Sequence, residues 1–300
     1  MSEARTLNDL DFRPRLIMGV EGEKGSGKTA LMLSAAVVRP PLSLMRFDFA
    51  SVGALRAAKK AGLEDSIFIH DYVVDIAVDM EKQAFEAKKL AAEVKKNEGK
   101  NAKAIAEAMK AADAALAGVK SNAEEVYDDF LTDYREALSL GGTVAVDTGM
   151  ELYQAVRLSL FGLLRQVPQL SYERANKVML DLFALAEGSE SNFIFCNKLR
   201  DDWAEGSDGK KHMTGKMVTD GWKDVDYPAH AIVRMYREGT KSDPTREGSV
   251  QAIPGVFCFQ FLKCNDATED TLTGTCHQVG DPLMTFNQIG ELVYGDDWII

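Results

Sequence analysis

"VEGEKGSGKTALM", from Val20 to Met32, places glycines at Gly22, Gly25 and Gly27 ahead of Lys28 and Thr29. The spacing Gly22, four residues, Gly27-Lys28-Thr29 is that of a phosphate-binding loop. In such a loop backbone N–H groups wrap the phosphates, a lysine reaches the β and γ oxygens, and a hydroxyl ligates Mg²⁺. The flanks suit that reading. "RLIMGV" (Arg15 to Val20) is a short apolar run of the kind that forms a buried parallel strand, and "TALMLSAAVV" (Thr29 to Val38) reads as a helix start. Strand, loop and helix therefore follow in the order phosphate binding requires, with the positive end of the helix aimed at the anion. Gly22, Glu23, Lys24, Gly25, Ser26, Gly27, Lys28 and Thr29 form the candidate cradle.

A chain of 300 residues is long enough for one large α/β domain, alone or with an insertion. Hydrophobic residues make up 46% of it, yet no apolar stretch reaches the about 18 residues a membrane span needs. The opening "MSEARTLNDLDF" lacks the apolar core of a secretion signal, so a cytoplasmic protein is expected, in a bacterium or a phage-infected cell. Cys196, Cys258, Cys264 and Cys276 fit reduced, packed thiols. Cys258, Cys264, Cys276 and His277 lack the C-x-x-C spacing of a zinc site. A net charge of −11 argues against coating duplex DNA by bulk electrostatics, so any nucleic-acid role must rest on particular loops.

"LSLMRF" (Leu42 to Phe47) and "SIFIHDYV" (Ser66 to Val73) read as strands separated by the helical "SVGALRAAKKAG". From about residue 79 to residue 120 the chain turns rich in Ala, Lys and Glu, with Phe85, Leu90 and Val94, then Ile105, Met109 and Leu116, at helical spacing around a turn near Gly99. This reads as an antiparallel helical hairpin inserted into a core formed by residues 1–78 and 121–300. It is either a solvated arm or a surface for a neighbouring subunit, a protein partner or DNA.

The core resumes with the helical "AEEVYDDFLTDYREALSLGG" and then "TVAVDTG" (Thr143 to Gly149). An apolar strand ending in Asp147 supplies the carboxylate that supports Mg²⁺ in phosphate-loop sites. A helical region from Glu151 to Glu187, broken near Pro168, leads to "NFIFCNKLRDDW" (Asn192 to Trp203). "VQAIPGVFCFQFLKCND" and "GTCHQVGD" alternate as two antiparallel edge strands, and "ELVYGDDWII" reads as a last strand tucked onto the sheet.

The apolar strand ending in Asn197-x-x-Arg200, followed by a polar, glycine-bearing loop, resembles the strand and second DNA-binding loop of the RecA-like recombination ATPases. The order of elements agrees from about Arg15 to Arg237, setting the insertion aside. "KMVTDGWKDVDYPAHAIVRMYRE" is similar to the return strand of the compact phage members, which act in recombination and strand annealing. The resemblance implies a RecA-like core with a mainly parallel sheet and ATP with Mg²⁺ at Lys28, Thr29 and Asp147. It also implies Asn197 as the γ-phosphate sensor, single-stranded DNA as partner, and a homo-oligomer.

In the loop from Asp201 to Asp226, Lys210, Lys211, His212, Lys216 and Lys223, with Arg200 before it, would contact phosphates, and Trp203 and Trp222 would stack on bases. Seven acidic residues in the same loop oppose this, and tryptophans packed on the core are the alternative. Arg234 and Arg237 are candidates for an arginine acting on a neighbouring subunit's ATP, or for ordinary ion pairs.

The chain departs from the family in two places. Where the family carries a water-orienting glutamate it reads "RFDFAS", which leaves Asp48 or Glu151 for that role; and Lys198 stands where the family has glutamine. Slow hydrolysis is therefore expected alongside firm ATP binding. Two other functions fit the loop: a nucleotide-dependent protein-interaction switch that uses the helical hairpin without DNA, and a small-molecule phosphotransferase. The last is disfavoured by the lack of an arginine-rich lid.

Overall fold

The structure, a computed structural model, describes residues 14–49, 52–75, 89, 122–161, 169–205, 209, 211–245, 255–265 and 272–298. The helical hairpin expected over 79–120 lies outside the described residues, Lys89 excepted, as do Lys210 and Pro168.

Among the described residues nine strands form one sheet, in the order β3-β2-β4-β5-β1-β7-β8-β9 with β6 paired to β5. The parallel centre is β1 (Ile17–Gly22), β2 (Leu42–Arg46), β3 (Ile67–Asp71), β4 (Thr143–Asp147), β5 (Asn192–Glu205) and β7 (Ala231–Arg237). β8 (Phe257–Cys264) and β9 (Cys276–Gln278) continue it antiparallel, as the alternation in those stretches predicts. Strands β1, β2 and β4 are buried at every position, which is why they read as mostly apolar runs, polar mainly at their ends, rather than as alternation.

Helices cover both faces. On one, α1 (Lys28–Val38), α2 (Val52–Lys60) and α6 (Thr285–Tyr294) pack on Met18, Val20, Leu44, Ala145, Ile194 and Cys196. On the other, α3 (Ala123–Ser139), α4 (Gly149–Phe161) and α5 (Gln169–Glu187) pack on Ile17, Met45, Val146, Phe193 and Phe195. Successive strand residues point to opposite faces, so Met18 and Ile17, or Cys196 and Phe195, lie in different cores.

Three expectations are corrected. The loop after β5 is mostly strand: β5 runs past the parallel sheet and pairs with β6 (Lys211–Asp220) as an antiparallel hairpin. Trp222 is 1% exposed, with its ring 5.6 Å from Phe183 and 6.0 Å from Phe195, and so belongs to the core and is no platform for bases. The chain's last described part is helix α6 and a short 3₁₀ turn, and no strand. Its amphipathic face puts Phe286, Ile289 and Val293 into the core, and Trp298 closes over it with Nε1 donating to Asn287 Oδ1 at 2.9 Å.

Candidate functional site

The glycine loop leaves the end of β1 and returns as α1. A side chain on Gly22 would lie 2.5 Å from the Met235 carbonyl oxygen, so the loop passes its neighbour strand at a distance only glycine permits. Gly27 has φ +100° and turns the chain into the helix. Helix α1 then starts with no side-chain cap and no acidic residue in its first turn. Its leading N–H groups are thus left to whatever enters the loop. Ser26 Oγ is buried and unpartnered. Lys28 folds over the loop and donates to the carbonyls of Gly22 and Glu23, both at 2.8 Å. Glu23 turns its carboxylate aside to accept from Ser242, whose hydroxyl lies at 2.9 Å.

Beside the loop, Thr29 Oγ1 donates to Asp147 Oδ2 at 3.2 Å, across 118 residues of sequence. Parallel pairing of β4 with β5, and of β5 with β1, brings the two strand tips to one edge and makes this meeting possible. Outside the carboxyl ends of parallel strands is where open α/β sheets place their ligands. Burial pushes the Asp147 carboxyl up to about 6, against the opposing pull of the Thr29 hydrogen bond and the Lys28 charge. The result is a carboxylate poorly solvated by water and suited to a cation partner.

Lys24, Gly25, Gly27, Lys28, Thr29, Asp48, Asp147, Thr148 and Lys198 line one cleft of about 670 Å³. Within it Lys198 Nζ lies 2.8 Å from Asp48 Oδ2 and 2.5 Å from Glu151 Oε1, and Glu151 also accepts from Thr148 Oγ1. Burial works against the Lys198 charge, but hydrogen bonds to Asp48 and Glu151 outweigh it and hold the ammonium above its usual range. Asp48 and Glu151 are the carboxylates expected from the sequence; Lys198 stands out there only where the chain departs from the family pattern.

Asn197 lies elsewhere. It pairs in register with Glu21, one residue before Gly22 and Lys198, and so points to the other face of the sheet. There its Nδ2 donates to the Trp222 carbonyl at 3.4 Å. Glu21 beside it is buried and bound by Arg234, Nε at 2.7 Å and Nη2 at 2.5 Å, and by the Thr219 hydroxyl at 2.6 Å. Arg234 thus forms an ion pair within its own chain and lines a second cleft with Asn197, Lys223 and Lys263. Arg237 donates from Nε to the Gly255 carbonyl at 3.1 Å and stacks over Phe257 at 4.7 Å, at the rim of the cleft.

No family model matches this chain, and no curated protein sequence matches it.

The β5–β6 hairpin projects directly from the strand that carries Lys198. Trp203 is 52% exposed on it, close to Lys211 and His212 across the ladder, with Lys216 exposed further along. Its acids are partly tied locally: Asp220 to Arg200 at 3.3 Å, Asp201 to Lys241 at 3.3 Å, and Asp202 to Thr214 at 2.9 Å. At β9 the His277 ring stacks on Phe259 at 5.2 Å, and burial lowers its basicity. Among the described residues no group of three or more His, Cys, Asp or Glu side chains is placed to hold a metal ion. None of the described helices is long and apolar enough to cross a membrane.

Proposed function

We propose that the cleft binds ATP with Mg²⁺ and hydrolyses it slowly, and that the β5–β6 hairpin carries single-stranded DNA, as in RecA-like recombination or annealing proteins. The observation that carries this reading is the convergence of Lys28, Thr29 and Asp147 around an uncapped helix N-terminus. The loop N–H groups, the Ser26 hydroxyl and Lys28 would hold the phosphates. Thr29 and Asp147 would hold Mg²⁺, the hydroxyl directly and the carboxylate through water; the bound metal supplies charge neutralisation on the phosphate oxygens. One carboxylate and one hydroxyl form an incomplete ligand set alone, which suits a metal that keeps its waters and takes phosphate oxygens. Glu151 and Asp48 are the carboxylates available to orient water.

DNA binding is supported by an exposed tryptophan among basic side chains on a hairpin continuous with the cleft strand. The test is ATP turnover at two salt concentrations, with and without single-stranded DNA, for wild type and Lys28→Ala. Turnover that rises with DNA and vanishes in Lys28→Ala is expected. Turnover indifferent to both would overturn the proposal.

A second reading, a nucleotide-dependent protein switch, is favoured by one feature. The edge strand β3 exposes Phe68 and Ile69, and Val73 follows, an apolar rim suited to a protein surface. Deleting residues 79–120 separates the two readings: DNA binding survives under the first, and partner binding is lost under the second.

A further inference from the structure

Hydrolysis of a triphosphate needs more positive charge at the terminal phosphate than a loop lysine and one metal provide, and many such sites take it from an arginine of another subunit. In this chain the arginines expected for that role are engaged. Arg234 lies on the far face of the sheet in a buried pair with Glu21, and Arg237 is bound to the Gly255 carbonyl and Phe257. The cationic side chains among the described residues lining the cleft are Lys24, Lys28 and Lys198. Lys24 is exposed at the loop surface and Lys28 is folded onto the loop.

Lys198 is built differently. Its backbone is in register with Gly22, the first residue of the glycine loop. Its side chain is 33% exposed and lines the cleft. Two carboxylates from separate elements, Asp48 after β2 and Glu151 on α4, hold it at 2.8 Å and 2.5 Å. An ammonium has three donors, and two anions for one cation leave an excess negative charge. Two carboxylates fix the ammonium at the mouth of the anion site and take two of its three donors, which leaves the third for an oxygen entering the cleft.

We propose that Lys198 is a catalytic cation for the terminal phosphate, supplied by the same chain that supplies the glycine loop, so that the catalytic unit is a single protomer. The inference rests on the nucleotide reading above. In the step, a water oxygen attacks the terminal phosphorus and forms a new P–O bond. The bond from that phosphorus to the bridging oxygen breaks, and its electron pair leaves with the diphosphate. Lys198 moves from its carboxylates to the equatorial oxygens of the transferring group, and a released carboxylate, Asp48 or Glu151, takes the water's proton and returns it to solvent. The products are nucleoside diphosphate, inorganic phosphate and one proton. Any homo-oligomer would then serve strand binding and not the chemistry.

The experiment measures ATP affinity and, separately, turnover without DNA for wild type, Lys28→Ala, Lys198→Met and Lys198→Arg, and follows wild-type turnover per protomer over a wide dilution series. In Lys198→Met, kcat is expected to fall about 100-fold, while ATP affinity changes by less than about tenfold; Lys198→Arg recovers part of the rate. Turnover per protomer stays constant on dilution. Unchanged kcat in Lys198→Met, or equal losses of binding and rate, overturns the inference, and so does turnover that falls on dilution. The dilution series uses the unmodified chain and decides even where Lys198→Met does not fold. If wild type binds no ATP, the nucleotide reading fails and this inference with it. If wild type binds and hydrolyses ATP while Lys198→Met matches it, the inference alone fails.

Discussion

At the tips of β1 and β5 the same two strands present different chemistry to the two faces of the sheet. Gly22 and Lys198 face the glycine loop; Glu21 and Asn197, each one residue earlier, face α4 and α5. On the first side Lys198 is partly exposed and held by Asp48 and Glu151, while Lys28 and Asp147 are buried. On the second Glu21 is nearly buried, bound by Arg234 and Thr219, and these residues with Asn197 line a second cleft of about 670 Å³. The two strand ends thus carry polar residues in both phases, a partly exposed lysine between two carboxylates on one face and a nearly buried Glu21–Arg234 pair on the other. The residue phase along the strand decides which side chain meets which face.

Substitutions can break this contrast. The largest effect is expected for Arg234→Ala, which leaves the Glu21 charge buried and unpaired and should cost about 3–5 kcal/mol in chemical denaturation. Replacing both partners, Glu21→Leu with Arg234→Met, should recover most of that loss. If Arg234→Ala were as stable as wild type, the pair would not be needed for folding and a trans-acting role for Arg234 would gain ground. Trp222→Ala should cost a similar about 3–5 kcal/mol by emptying a packed aromatic site; weaker DNA binding without loss of stability would return Trp222 to the surface.

Asp147 tests the glycine-loop face through pH. Its folded value of about 6 exceeds the ordinary 3.8, so the folded protein holds this proton more tightly than the unfolded chain does. Stability from this group is therefore fully present below about pH 4 and declines as pH rises through about 6. Asp147→Asn, which removes the buried charge, should stabilise the ligand-free protein by about 2 kcal/mol at pH 7.5 and abolish Mg²⁺-dependent ATP binding. In wild type, affinity for the Mg²⁺ complex should rise with pH through the same window. Stability of Asp147→Asn equal to wild type at pH 7.5 would mean that the carboxylate is not strained by burial.

The smallest effect on stability belongs to the hairpin. Trp203→Ala should change stability by less than about 0.5 kcal/mol and weaken single-stranded DNA by about 1–3 kcal/mol, read by fluorescence anisotropy. DNA affinity unchanged by this substitution would direct attention away from the hairpin.

Much of the α/β architecture was legible because its signals are local. The glycine loop is contiguous, and β2 and β4 are mostly apolar runs of the kind a doubly covered sheet uses. The meeting of Asp147 with Thr29 was legible because an apolar strand ending in aspartate puts its carboxylate at the sheet edge where the glycine loop lies. The phase of β5 was not: "FCNKLR" is apolar on both faces up to its tip, so nothing in it says whether Asn197 or Lys198 faces α1. Trp222 sits between Asp220 and Asp224 in a polar stretch, and its burial depends on Phe183 and Phe195, which are distant in sequence. The helix at Thr285–Tyr294 did leave a signal, Phe286, Ile289 and Val293 at three- and four-residue spacing, which the apolar tip "WII" overshadowed.

The central claim is that the α1 side of the strand tips is a triphosphate site. Titration calorimetry of ATP into the wild-type chain, with and without Mg²⁺ and against Lys28→Ala, tests it most directly. The account predicts one site per protomer, tighter with Mg²⁺ and lost in Lys28→Ala. Absence of binding in wild type, or binding that Lys28→Ala leaves intact, would contradict it.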